Sequence, residues 1–182
     1  LYGQFIGQEL VEITRQMFPL SLKKEETFIA GLSMGGYGAI VNGLKYHDTF
    51  GYVAGLSSAL MLEDWLNCNT PLIKVPDVRK YYESIFGDLS KLKGSDKDYF
   101  ALVENQDVKD LPHMYMCVGT EDFLLQNNRD YRDFLLDKDV DLTYEEGPGG
   151  HEWDFWDCFI LKILNWLPLN TSQEGLNSGH VQ

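Results

Sequence analysis

Basic residues are scarce in this chain. Fifteen lysines and arginines stand against 28 aspartates and glutamates, a net charge of −13 over 182 residues. Nucleic acid needs a basic surface to neutralise its phosphates, so a nucleic-acid partner is excluded from the reading. The same deficit disfavours anionic membranes and polyanionic substrates. No apolar run approaches the roughly 20 residues that cross a bilayer, and no membrane partner is expected. Cysteines number three, Cys68, Cys117 and Cys158. Their odd count and wide spacing form neither a disulfide framework nor a metal-ligand pattern. Cys117 in an apolar strand and Cys158 on an aromatic helix read as buried free thiols, which favours a reducing compartment, the cytoplasm. A leader ahead of Leu1 stays open as an alternative. Internal repeats are absent. The length and a 44% hydrophobic content imply one domain with a substantial core.

What is present concentrates at one place, Gly31-Leu32-Ser33-Met34-Gly35. A short apolar strand, Thr27 to Leu32, is expected to run into Ser33, and a helix of small and apolar residues to follow from Gly35 to about Tyr46. That is the pattern of a nucleophile elbow, where a strained turn lifts a serine hydroxyl clear of a sheet edge. Side chains at 31 and 35 would crowd the turn, and Gly36 and Gly38 would let the helix pack tightly on the sheet. The Met34 N–H, beside the helix N-terminus, would face the same space as an oxyanion donor. The alternative is a glycine-rich turn whose serine only caps a helix.

A serine hydroxyl needs a base. The chain has four histidines, His47, His113, His151 and His180. His47 lies about four turns beyond Ser33 and points elsewhere. His113 precedes the apolar run Met114–Val118 and belongs at the N-terminal edge of a strand, whereas sites in parallel sheets form at the C-terminal edge. His180 sits in a polar tail. His151 follows the strand-like run Asp141–Glu145 and the loop Gly147-Pro148-Gly149-Gly150, with a helix immediately after. Its position fits the base, the alternative being an exposed loop histidine.

The acid that orients this histidine is expected at the end of the strand Met116–Asp122. Asp122 is favoured over its neighbour Glu121 because a short side chain on the second residue of the turn can reach across the sheet edge. The competing role for Asp122 is the N-cap of a helix starting near Leu124, and one carboxylate is not expected to satisfy both fully.

Elsewhere, Tyr2 to Phe18 reads as a helix with Phe5, Ile6, Leu10, Ile13 and Phe18 at helical spacing. Tyr52–Leu56 reads as a buried parallel strand closed by Ser57-Ser58-Ala59 near the active edge. Residues 60–110 read as irregular and rich in aromatics, either a lid and pocket wall or a helical insertion packed on the sheet. Trp65 there and Trp153 near His151 are the expected pocket residues. Leu124–Leu136 and Trp153–Leu167 read as helices, the latter covering the sheet with Phe155, Phe159, Ile163, Leu164 and Leu167. Residues 170–182 are a polar tail.

Three segments together resemble a known family: residues 31–39, Gly119-Thr120-Glu121-Asp122-Phe123-Leu124 with Asn128-Arg129, and residues 145–156 from Glu145 to Trp156. They look like bacterial esterases of the tributyrin esterase type, within an esterase D-like group that also holds S-formylglutathione hydrolases, feruloyl and acetylxylan esterases and mycolyltransferases. The resemblance runs from residue 1 to about 169. It implies an α/β-hydrolase fold, a mainly parallel sheet with helices on both faces, and a triad of Ser33, Asp122 and His151. It also implies a departure, because similar proteins carry several strands and a second oxyanion donor before this point. Residues 1–169 are therefore expected to be the C-terminal portion of one such domain, either truncated, processed or a divergent short form. Self-association, or association with a missing N-terminal segment, follows as an expectation.

The expected activity is hydrolysis of short-chain or small aromatic carboxylic esters through an acyl-enzyme, on a small-molecule substrate, with no metal and no organic cofactor. An acyltransferase using the same triad is one alternative, and a non-catalytic fragment acting in assembly is another.

Overall fold

The computed structural model describes residues 2–69 and 74–169. The polar tail at 170–182, with His180, lies outside the described residues. Four strands form one sheet in the order β1 (Phe28–Leu32), β2 (Tyr52–Leu56), β3 (His113–Gly119) and β4 (Leu142–Gly147), every neighbouring pair parallel. Phe28 lies opposite Tyr52, Tyr52 opposite His113, and Met114 opposite Leu142. With this register all four strands release their loops at the same edge.

Parallel strands are buried on both faces, and side chains alternate between the faces with period two. Val53, Met114 and Met116 accordingly join one core with Ile40, Leu44, Tyr131 and Leu135. Ala54, Leu56, Tyr115 and Cys117 join the other with Phe155, Trp156, Phe159 and Ile163. The first core lies under α3 (Met34–Lys45) and α7 (Leu125–Asp137), the second under α8 (Trp153–Trp166). Close approach of α3 to the sheet rests on Gly43, where a Cβ would sit 2.1 Å from Val53 Cγ2 on β2, while Gly36 lets the start of α3 pack on the turn after β2, its Cβ position 2.5 Å from Ser58 Oγ. Gly38 plays no such part, since nothing lies within 4 Å of its Cβ position.

Residues 60–110 are more regular than their composition suggests. They form α4 (Leu62–Leu66), α5 (Val78–Phe86) and α6 (Tyr99–Glu104), with 3₁₀ turns at Leu89–Lys91 and Val108–Asp110. The Asp77 and Asp98 carboxylates accept backbone N–H bonds at the starts of α5 and α6, an N-cap signal that aromatic content masks. Trp65, Tyr82, Phe86, Tyr99 and Val103 are buried in the α3-side core.

At the start of the chain the expected helix is interrupted. It begins as α1 (Tyr2–Gln4), passes through a π turn at Phe5–Glu9 and continues as α2 (Leu10–Met17). Phe5, Leu10, Ile13 and Phe18 are exposed rather than core. Two expectations for α8 also fail, because Cys158 and Leu164 are exposed. An apolar helix covering a single sheet face can bury only one stripe, and here Phe155, Phe159 and Ile163 occupy it. Among the described residues β1 pairs only with β2, and Ala30 at its middle is exposed.

Candidate active site

Each strand end contributes one turn to the same edge. β1 ends at Ser33, β2 at Ser57-Ser58-Ala59, β3 at the loop of Asp122, and β4 at the loop of His151. Ser33 adopts φ 56° and ψ −120°, a conformation costly for a residue with a Cβ. The turn is closed by the surrounding backbone. Ser33 N–H donates to Leu56 O at 2.9 Å, and Ser33 O accepts from Ala59 N–H at 3.0 Å. Glycine at 31 is required, since a Cβ there would lie 2.2 Å from Gly35 O. The Cβ position of Gly35 is open, so the expected crowding comes from position 31 alone. Met34 opens α3, and its N–H belongs to the first-turn donors that have no partner within a helix.

His151 Nε2 lies 2.9 Å from Ser33 Oγ, and His151 Nδ1 lies 2.9 Å from Asp122 Oδ2. A carboxylate only accepts, so Nδ1 carries the proton and Nε2 presents its lone pair to the serine hydroxyl. The imidazole is held between rings, with Phe123 at 4.8 Å and Trp156 edge-on at 4.9 Å. Trp156 is itself fixed by donating Nε1–H to Ser57 Oγ at 3.2 Å. The Asp122 side chain is fully buried. Its second oxygen, Oδ1, accepts from Leu124 N–H at 2.9 Å in the turn ahead of α7. The N-cap of α7 is Leu124, which has no side-chain cap bond, so Asp122 is not the expected helix cap, and its turn bond and its bond to His151 use different oxygens of one group.

Glu121 does different work. Its carboxylate is exposed and accepts from Gly149 N–H at 2.5 Å and from Thr120 Oγ1–H at 2.9 Å. The Gly149 N–H holds its carboxyl below the usual range. Glu121 thus ties the loop of Asp122 to the loop of His151. The two backbones touch at Gly119, where a Cβ would lie 2.0 Å from Gly149 O. Cys117 is no competitor for Ser33, because burial pushes its thiol pKa up.

Beside Ser33 opens a cavity of about 220 Å³ lined by Met34, Met61, Trp65, Tyr82, Phe86 and Phe123, among others. Trp65 stacks on Phe86 at 4.7 Å and meets the Tyr37 ring edge-on at 4.9 Å. None of the cavity's side chains carries a charge.

The model of the family described as "Putative esterase" matches residues 1–167. The chain belongs to this esterase family. An acetyl esterase of Caldicellulosiruptor saccharolyticus is 45% identical over 168 residues, covering 91% of this chain and 63% of that protein. Among solved structures, the S-formylglutathione hydrolase of Staphylococcus aureus superposes with a TM-score of 0.74 at 34% identity, over 87% of this chain and 61% of that one. The fluorophosphonate-binding serine hydrolase F of the same organism gives 0.76 at 34% identity, over 89% and 62%. The fold is that of the α/β-hydrolases, and the chain spans just under two thirds of the length of these relatives.

His113 and His47, set aside on sequence grounds, and Trp153, expected at the pocket, all lie away from Ser33 in this esterase-family chain. His113 is at the opposite edge of the sheet, stacked on Tyr52 and 2.5 Å from Asp141 Oδ2. His47 follows α3 and neighbours Asp48. Trp153 is exposed and lines a separate groove with Gly31, Leu32 and Trp156 on the α8 side. The pocket instead recruits Tyr82 and Phe86, which sit four residues apart on α5. That spacing places both on one helix face and is visible in the sequence.

Proposed function

We propose that this chain carries the catalytic portion of a serine esterase that hydrolyses esters of short, uncharged acids. The observation that carries the reading is the series Asp122 Oδ2–His151–Ser33 Oγ, both contacts at 2.9 Å, at the C-terminal edge of a parallel sheet. His151 Nε2 takes the Ser33 proton as Oγ attacks the ester carbonyl. The tetrahedral oxyanion is met by the Met34 N–H at the start of α3. His151 then gives its proton to the leaving alkoxide, and the alcohol departs. Water next loses a proton to His151 and attacks the acyl-serine. The same proton returns to Ser33 Oγ as the acid is released. Asp122 keeps the tautomer and stabilises the imidazolium in both halves.

A cavity of about 220 Å³ without charged side chains supports a small neutral acyl group. The acetyl esterase named above, 45% identical, favours the same reading. The test is turnover of p-nitrophenyl acetate together with fluorophosphonate labelling mapped by mass spectrometry. A phosphonyl adduct on Ser33 is expected. Turnover with the adduct on another residue, or with no adduct, overturns the reading.

A further inference from the structure

Asn128 lies in the first turn of α7, does not touch Ser33 or His151 by any hydrogen bond, and is completely buried. Its Nδ2 donates to Ser58 O at 2.9 Å and to Leu124 O at 2.9 Å. The orientation of the amide is fixed by these acceptors, since the flipped group would set Oδ1 against two carbonyl oxygens. Leu124 O already receives the α7 bond from Asn128 N–H at 3.0 Å. What the side chain adds is therefore the bridge to Ser58, 70 residues earlier in the chain.

Both ends of that bridge lead directly to the site. On one side, Ser58 precedes Ala59, whose N–H holds Ser33 O at 3.0 Å. On the other, Leu124 N–H holds Asp122 Oδ1 at 2.9 Å. The path from nucleophile to acid outside the imidazole thus reads Ser33 O, Ala59–Ser58, Asn128 Nδ2, Leu124, Asp122 Oδ1. No other side-chain hydrogen bond among the described residues joins the 57–59 turn to the 119–124 loop. The two strands beneath these loops are adjacent, and the backbone bond from Ser57 N–H to Cys117 O at 2.7 Å ties the turn to β3 two residues before the Asp122 loop begins. The Asn128 amide is the side-chain link beyond that point.

We propose that Asn128 is a positioning residue: its amide bolts the loop of Asp122 to the turn on which Ser33 is seated, and so sets the span that His151 must bridge. The proposal rests on the Ser33–His151–Asp122 reading given above. Asn128 acts through Asp122 and touches no reacting atom.

The test is a double-mutant cycle in the full chain, with kcat and KM for p-nitrophenyl acetate, the fluorophosphonate labelling rate and thermal melting measured on each variant. Asn128→Ala is expected to lower kcat by about tenfold to a hundredfold, the size of effect that a misplacement near 1 Å produces, with KM within twofold. Asn128→Ser retains a donor and should recover part of the loss; it also serves if Asn128→Ala does not fold. In an Asp122→Asn background, where the oriented acid is already gone, substituting Asn128 should change kcat by less than about twofold. An equal loss in both backgrounds means Asn128 does not act through Asp122 and overturns the proposal. A lowered melting temperature with kcat unchanged assigns it to structure alone and also overturns it. Should Asp122→Asn leave kcat intact, the triad reading fails and takes the proposal with it. A costly Asp122→Asn with a silent Asn128→Ala sinks the proposal and leaves the triad standing.

Discussion

Asp122 accepts the Leu124 N–H with one carboxylate oxygen and holds His151 with the other, each at 2.9 Å. The two functions can therefore be separated by substitution. Asp122→Asn keeps an oxygen for the Leu124 N–H, but its amide N–H faces His151 Nδ1 and enforces the wrong tautomer. It should cost about 10⁴-fold in kcat with a small change in melting temperature. Asp122→Ala should show the same loss of rate and lose about 1 kcal/mol of stability as well, the usual net worth of a hydrogen bond. Paired melting and kinetics on the two variants check this. Equal stabilities for the two would contradict the division of labour.

Trp65 closes the cavity beside Ser33, stacked on Phe86. Shortening it as Trp65→Leu should admit longer acyl chains. The ratio of kcat/KM for the p-nitrophenyl hexanoate ester to that for the acetate is expected to rise by about tenfold or more, within what a few methylenes in a pocket are worth. An unchanged ratio places the acyl group elsewhere.

Arg129 grips Glu146 through two bonds of 2.7 and 2.6 Å, joining α7 to the end of β4 just before the His151 loop. The Arg129 hydrogen bonds hold the Glu146 carboxyl below its usual range, against a smaller opposing effect of burial. A carboxyl depressed in the folded state contributes stability above its unfolded pKa, about 4.3, and loses it as pH falls through the lower folded value. Wild type should thus exceed Glu146→Gln in denaturation midpoint at pH 7, and the gap should close below about pH 4. A gap of constant size from pH 7 to pH 3 would rule out the ion pair as its source.

β1 presents an unpaired edge among the described residues, with exposed Ala30 at its centre and a groove of Leu32, Leu56 and Ile160 beside it. Such an edge templates association. These 182 residues by themselves should scatter light as a species larger than 20.9 kDa. A monodisperse 20.9 kDa monomer would contradict the expectation.

The elbow was legible because its chemistry is local. Ser33 needs glycine at 31, a strand before and a helix after, and all three are contiguous. Asp122 and His151 were legible because strand order and loop position in a parallel sheet assign them an edge. What escaped was set by tertiary partners. The side of Glu121 that faces Gly149, and the use of separate Asp122 oxygens, depend on how two loops meet. Exposure of Cys158 and Leu164 goes against the sequence reading because periodicity records which residues share a face, not whether anything covers it. Trp153 lies close to His151 in sequence but points into another groove, whereas Tyr82 and Phe86 reach the pocket from an α5 whose N-cap, Asp77, was overlooked.

The central claim is that Ser33 is the nucleophile, and the most direct measurement is kcat/KM for p-nitrophenyl acetate in Ser33→Ala against wild type, at matched folding by melting temperature. The account predicts a fall on the order of a millionfold, to the background set by binding alone, with fluorophosphonate labelling abolished and the melting temperature nearly unchanged. Turnover within a few-fold of wild type in the folded variant would contradict it.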